Sequence, residues 1–380
     1  MSHQLPPRSP RPVSPRIWLL LSDKLGDNAQ VRTVAAALGL RCEEKTLRFK
    51  RRYAKMRPVF KASIGHLDCD RSTDIAEPWP DLIITSGRRP AMVALWIKQQ
   101  SAGRSRIVIV GRPHRRLADF DLVLAPPQFA LPERPNILRM RWPLFSVDRA
   151  EIAAQAGLWA PRFAELPRPL TAILLGGPQP PFRFTKEVAL DIIAKAARQS
   201  DHGSLVILTS RRTPVHITRA VARALPANGM LFPWSSGAET NPYRAVLGLA
   251  DRFVVTGESI SMIGEVLSLG KPLAIAAAPL RRRPHILLEQ AMARRFRAAK
   301  AGENGFWSRL KRYVHERGIL PFARDFTHFH RDLVERGAAV MLGDPFPQAG
   351  KSVSNDLSLA VTRILSLIGR EPTSADTPRP

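Results

Sequence analysis

Short runs of Ile, Val and Leu alternate along this chain with longer segments of helical spacing, and they do so in two separate series. A strand, a covering helix and a second strand form the βαβ unit, whose parallel strands are buried on both faces. The pattern therefore predicts an α/β fold built from two doubly wound parallel sheets. The first series begins at Ile17 to Leu21, continues through Asp81 to Thr85 and Arg106 to Val110, and closes near Asp121 to Ala125, with a helix from about Asn28 to Leu38. The second places strands at Leu170 to Leu175, Leu205 to Thr209, Arg252 to Val255 and Pro272 to Ile275. Helices fall between them at about Lys186 to Arg198, Val215 to Leu225, Tyr243 to Leu249 and Ile260 to Leu269, and a final amphipathic helix covers Asp356 to Ile368.

A length of 380 residues agrees with two such units, and 44% apolar residues suffice for a core in each. Trp142-Pro143, Pro161, Pro167 and Pro169 mark a connection between the series. The expected division is a disordered tail over 1–15, a first domain over 16–145, a linker over 146–169, a second domain over 170–354, a helix over 355–369 and a tail over 370–380. No apolar run approaches the ~20 residues that cross a bilayer. Two cysteines, Cys42 and Cys69, make neither a disulfide framework nor a zinc ligand set, which suits a reducing cytoplasm.

A formal charge of +26 calls for an anionic partner, and nucleic acid, anionic lipid and sugar phosphates all qualify. No zinc finger, helix-turn-helix or aromatic RNA-reading motif accompanies the charge, so a nucleic-acid partner is not expected. Basic residues concentrate at Arg48, Lys50, Arg51, Arg52, Lys55 and Arg57, and again at Arg294, Arg295, Arg297, Lys300, Arg309, Lys311 and Arg312. Beside the second cluster, Phe306, Trp307, Leu310, Tyr313 and Val314 form an apolar stripe at helical spacing. Such a helix either lies on an anionic membrane surface or packs its stripe on the domain.

In doubly wound sheets, ligands bind outside the carboxyl ends of strands, so the loops there carry the chemistry. Gly176-Gly177 follows the first strand of the second series, and its amides either approach an anion or simply make a tight turn. Ser210-Arg211-Arg212 follows the next strand, as a phosphate clamp or as a solvated basic turn. Gly257, Ser259 and Ser261 leave amides open at a helix start, and Glu265 lies seven residues after Glu258, two turns along nearly the same face. A carboxylate at Glu265 can accept two hydrogen bonds from a ribose diol or can face solvent. Asn241 either lines the same cleft or caps the following helix. In the first series, Asp27 reads equally as a general base and as a first-turn helix acid.

Taken in order, Gly26-Asp27-Asn28-Ala29-Gln30, Asp81 to Arg89, Gly111-Arg112-Pro113, Ala125-Pro126-Pro127-Gln128, Leu175-Gly176-Gly177-Pro178, Thr209 to Pro214, Asn241-Pro242-Tyr243 and Ser259-Ile260-Ser261-Met262 resemble the mitochondrial fission "elongated mitochondria" family. The resemblance covers about residues 16 to 368. It implies a glycosyltransferase B (GT-B) architecture: two facing Rossmann-like domains with a cleft between them, a nucleotide sugar on the second and the acceptor mainly on the first. Donor contacts would then come from Gly176, Gly177, Ser210, Arg211, Arg212, Asn241, Glu258, Ser259, Ser261 and Glu265. The acceptor side would hold Asn28, Gln30, Gly87 and Arg88, with Asp27 as the base. The stretch from Gly257 to Glu265 is also similar to the donor loop of the N-acetylglucosaminyltransferase of peptidoglycan synthesis, whose matching glutamate holds ribose. That role falls on Glu265. The family usually has Asp where this chain has Glu258, so a longer arm must fit. Helix N-termini and Arg would offset the diphosphate charge without a metal or cofactor, and the acceptor would be an envelope or lipid-linked molecule, at the inner face of the membrane. Plant members of the family act as fission factors, so the resemblance also admits a non-catalytic scaffold that binds a protein partner or a membrane.

Overall fold

The computed structural model describes residues 14–51, 53, 61–112, 117–129, 131, 133–142, 144–145, 147–200, 203–236, 240–281, 284, 291, 324–351, 353 and 357–370. Two six-stranded parallel sheets organise them. The first contains β1 (Ile17–Leu21), β2 (Cys42–Thr46), β3 (Leu82–Ser86), β4 (Arg106–Val110), β5 (Leu122–Ala125) and β6 (Ile137–Arg139) in the order β2-β1-β3-β4-β5-β6. The second contains β7 (Leu170–Leu175), β8 (Ser204–Thr209), β9 (Gly229–Phe232), β10 (Arg252–Thr256), β11 (Leu273–Ala276) and β12 (Val340–Met341) in the order β12-β11-β10-β7-β8-β9. Both are doubly wound and Rossmann-like, as the alternating pattern predicts. Strand order reverses between β1 and β3 in the first sheet and between β7 and β10 in the second, and such switch points open a crevice at the carboxyl ends.

Helices cover both faces of each sheet. Over the first lie α1 (Leu25–Ala37) and α2 (Arg88–Gln100). Ile17, Leu19 and Leu21 pack toward Val31 and Val34 of α1, whereas Trp18 and Leu20 share a cluster with Ala91 and Met92 of α2. The second sheet carries α4 (Lys186–Gln199), α5 (Val215–Arg223), α6 (Tyr243–Leu249), α7 (Ile260–Ser268) and α8 (Phe326–Glu335), the chain having entered it through α3 (Arg149–Phe163). Ile173 and Leu175 meet Ile192 and Ile193 of α4, while Leu170 and Leu174 meet Val246 of α6, Ile263 of α7 and Phe329 of α8. Strands β7 and β8 are buried at every residue, which is why their sequences read as unbroken apolar runs. The last helix, α9 (Leu357–Leu367), returns to the first sheet, where Val361 and Ile364 join the cluster of α1 and β1. Burying each such aliphatic side chain contributes about 1.5–3 kcal/mol, enough to hold a helix far along the chain from the strands that it covers.

The stretch expected as a linker, 146–169, is mostly helix. Asp148 caps α3 by accepting from the Glu151 N–H at 2.9 Å, and Ile152 and Phe163 are buried in the second core. Pro161 sits in the last turn, two residues before the helix ends, so its ring breaks only a terminal bond of the ladder and leaves the body of the helix intact. A Cβ on Gly248 of α6 would lie 3.0 Å from Ala156 and 3.1 Å from Ile152, so the glycine lets α3 and α6 pack closely.

The carboxyl ends of the two sheets are tied together through α8. Phe129, beyond β5, forms an antiparallel bridge with Arg324, and the Asp325 N–H donates to the Gln128 carbonyl at 2.8 Å. Asp325 caps α8 by accepting from the His328 N–H at 3.0 Å, and His330 on the same helix reaches the Gly257 carbonyl, just past β10, at 2.7 Å. Among the described residues no helix is long and apolar enough to cross a membrane. Residues 1–13 and 371–380, Arg52, Lys55, Arg57 and the whole basic and aromatic stretch from Arg294 to Val314 lie outside the described residues.

Candidate functional site

At the switch point of the second sheet, the loops after β7 and β10 meet on one buried carboxylate. Glu258 Oε1 accepts hydrogen bonds from the Gly177 N–H, the Thr256 hydroxyl and the Ser259 hydroxyl, each at 3.0 Å. Thr256 Oγ1 also accepts from the Gly176 N–H at 2.9 Å. The two glycine amides expected to face an anion are therefore engaged inside the protein, by a threonine and by the protein's own carboxylate. Both positions require glycine: a Cβ on Gly176 would lie 1.8 Å from Glu258 Oε1, and one on Gly177 would lie 2.3 Å from the Arg212 carbonyl oxygen. The missing Cβ of Gly176 explains how the longer arm of Glu258 fits. Its second oxygen, Oε2, is buried with no hydrogen-bond partner among the described residues.

The loop after β8 brings the cations. Arg212 Nη1 donates to Gln179, Nη2 donates to Ser259 Oγ at 3.1 Å, and the same nitrogen lies 3.8 Å from Glu258 Oε1. Ser210 and Thr213 shape the turn: the Ser210 N–H donates to Thr213 Oγ1 at 2.9 Å, and the Arg212 N–H donates to Ser210 Oγ at 3.2 Å. Ser210 thus positions Arg212. Arg211 is exposed, as is Ser261 on the first turn of α7. The first intrahelical bond of α7 runs from the Ile263 N–H to the Ser259 carbonyl, which leaves the amides of Ile260, Ser261 and Met262 as the open end of a helix dipole. The amides of Gly257 and Ser259 are not part of that opening, since they donate to Ala276 and Thr256, each at 2.9 Å.

Glu258 and Glu265 do not share a helix face. Because α7 starts at Ile260, Glu258 lies outside the helix and turns inward to Gly177, whereas Glu265 meets α6. Glu265 Oε2 accepts from the Tyr243 hydroxyl, and burial pushes the Glu265 carboxyl above the ordinary carboxylate range, against the opposing pull of that bond and of Arg244. The same burial, reinforced by the adjacent carboxylate, raises the Tyr243 phenol well above 10.0. Asn241 accepts from the Tyr243 N–H at 3.1 Å and donates through Nδ2 to the Ser235 carbonyl at 3.1 Å, but the N-cap position of α6 falls on Pro242, so Asn241 stands one residue before the expected cap.

In the first sheet, Asp27 and Gly87 meet at the other switch point. Gly87 holds φ +87° before α2, and a Cβ there would lie 3.4 Å from Asp27 Oδ2. Asp27 is part-exposed and pairs at 3.8 Å with Lys24. Asn28 is buried and spends its amide on the turn after β1, accepting from the Ser22 N–H at 3.0 Å and donating to the Ser22 carbonyl at 2.8 Å. Gln30 donates to the Gly26 carbonyl at 3.4 Å, and Arg88 opens α2, partly exposed.

Two residues of the second site escape a sequence reading. Thr256 is an ordinary strand-end threonine until the loops after β7 and β10 are seen to share its hydroxyl. His330 comes 73 positions after the Gly257 that it holds, and a Cβ on Gly257 would lie 2.4 Å from its ring. Burial lowers the His330 imidazole below its ordinary 6.5, so it stands neutral against the loop. The one available signal was Gly257 itself, a glycine where a close approach demands one.

A family model described as Mitochondrial fission ELM1 matches residues 26–311. The mitochondrial fission protein ELM1 of Arabidopsis thaliana is 28% identical over 228 residues, 52% of this chain and 52% of the relative, so the match spans about half of the plant protein. An uncharacterized protein of Rickettsia prowazekii is 25% identical over 323 residues, 74% of this chain and 90% of that one. Among solved structures, a glycosyltransferase from Rickettsia africae aligns with a TM-score of 0.47 at 9% identity, covering 94% of this chain and 100% of the other. MnaA of S. aureus, solved with UDP, aligns with a TM-score of 0.47 at 11% identity, covering 94% and 99%.

Proposed function

We propose that this chain, which belongs to the mitochondrial fission ELM1 family, is a glycosyltransferase that takes a sugar from a nucleotide-diphosphate donor. The observation that carries the reading is the meeting of Arg212, Ser259 and the open first turn of α7 at the switch point of the second sheet. A guanidinium fork beside a helix N-terminus stabilises the negative charge that a leaving diphosphate develops. Arg211, exposed beside Arg212, adds a second cation that is free to turn toward the phosphates.

Glu265 is assigned to the ribose diol and Asp27 to the acceptor hydroxyl, from which it removes the proton. The Tyr243 hydroxyl fixes the Glu265 carboxylate and leaves its Oε1 to accept from ribose. Glu258 is buried beneath this site, with no hydrogen-bond partner for Oε2 among the described residues, so it sets the charge felt by Arg212 rather than touching the phosphates. The acceptor is placed on a lipid or envelope glycan, with the protein held at an anionic membrane surface by its +26 charge.

One observation favours a second reading, a scaffold of the same fold that turns nothing over. Glu258 already satisfies the Gly177 amide, so this loop is complete without a bound anion. Calorimetric titration with uridine, guanosine, cytidine and thymidine diphosphates separates the two. The transferase reading expects one of them to bind and Glu265→Ala to weaken it by about 1–3 kcal/mol. Absence of binding by all four favours the scaffold.

A further inference from the structure

Trp234 lies just past the end of β9, and 44% of its surface is exposed, an unusual cost for an indole at the rim of a site. Its backbone is nevertheless firmly held. The Trp234 N–H donates at 2.8 Å to Oγ1 of Thr209, the last residue of β8, directly before Ser210-Arg211-Arg212. The next residue, Ser235, is held twice: its carbonyl accepts from Asn241 at 3.1 Å, and its hydroxyl lies 2.7 Å from that of Thr240. Asn241 in turn accepts from the Tyr243 N–H, and the Tyr243 hydroxyl reaches Glu265.

An unbroken run of hydrogen bonds thus links the backbone beside the indole to the carboxylate assigned to ribose. Among the described residues Trp234 is not part of the buried clusters that Tyr243 and Met230 join, so its indole is not committed to the core. Through Thr209 the Trp234 backbone is tied to the strand end that leads into Ser210-Arg211-Arg212, and through Asn241 and Tyr243 its neighbour Ser235 is tied to Glu265. On the donor-nucleotide reading, this loop is therefore bonded both to the strand end before the phosphate position and, through Tyr243, to the ribose position.

We infer that the Trp234 indole is the platform on which the nucleobase of the donor stacks, with the Ser235–Asn241 pair setting its height. This rests on the donor-nucleotide reading of the same site. Every base presents a π-face, so stacking gives affinity for the aromatic ring as a class, and selection among bases falls to the polar groups of the Ser235 and Thr240 loop.

The test titrates wild type, Trp234→Ala and Trp234→Phe with the four nucleoside diphosphates and with inorganic pyrophosphate. The inference expects Trp234→Ala to weaken the bound nucleotide about 5- to 150-fold, to leave pyrophosphate affinity unchanged, and Trp234→Phe to restore most of the loss. Equal nucleotide affinity in wild type and Trp234→Ala overturns the inference and leaves the donor reading standing. Pyrophosphate weakened as much as nucleotide also overturns it, since the residue would then support the phosphate loop. If wild type binds no nucleotide, both readings fall together.

Discussion

Glu258 Oε1 lies 3.0 Å from the backbone nitrogen of Gly177, joining residues 81 positions apart at the point where the second sheet reverses its strand order. An internal carboxylate therefore occupies the amide that a glycine turn would otherwise offer to an anion. What remains for a ligand is the Arg212 fork and the first turn of α7.

Gly176→Ala tests this packing. The new methyl carbon falls 1.8 Å from Glu258 Oε1 and 2.3 Å from Ser259 Oγ, so the carboxylate must leave its three donors. Urea denaturation is expected to show a loss of about 2–4 kcal/mol. A midpoint equal to that of wild type would mean that the carboxylate moves aside freely.

Arg212→Ala removes the cation nearest the α7 N-terminus together with its bonds to Gln179 and Ser259. Pyrophosphate affinity measured by calorimetry should fall about 10- to 100-fold, the range for a hydrogen bond to a charged group. Arg212→Lys should recover only part of it, because an ammonium lacks the planar fork.

Glu258→Gln acts in the opposite direction. It keeps an acceptor for the Gly177 amide but removes a buried negative charge 3.8 Å from Arg212. Pyrophosphate should bind about tenfold more tightly at low salt, with the gain shrinking as salt rises. Weaker binding in this variant would show that the carboxylate orients the cation more than it opposes the anion.

His330 gives the second unit a defined acid response. The unfolded chain takes up a proton near the ordinary imidazole value of 6.5, whereas the buried ring holding Gly257 takes it up only at lower pH. Stability is therefore full above about 6.5, falls as pH drops through the interval between the two values, and levels off beneath the folded one. His330→Gln should flatten this acid limb when unfolding free energy is followed from pH 7 to pH 5. An acid limb as steep as that of wild type would assign the effect to other groups.

The central strands were legible because parallel strands buried on both faces leave unbroken apolar runs: Ile17–Leu21 and Leu170–Leu175 fall where the pattern puts them. The edge strands were not. In β2, Cys42–Thr46, only Lys45 is buried, and β12 is two residues long, so neither leaves an apolar run to read. Helix α3 was hidden by Pro161, which reads as a linker residue until its place in the last turn is known. At the site, Gly176, Gly177, Arg212, Glu258 and Ser259 do come together. What sequence spacing could not supply was direction: Glu258 turns away from the helix that holds Glu265, and Asn28 spends its amide on Ser22. Both outcomes depend on partners distant along the chain or on a turn geometry that spacing alone does not encode.

The most direct test of the account is backbone hydrogen exchange with and without the tightest-binding nucleoside diphosphate. A donor held at the second sheet predicts protection confined to residues 176–179, 210–214, 234–243 and 257–265. Protection centred on the loops after β1 and β3, or spread evenly through the chain, would contradict it.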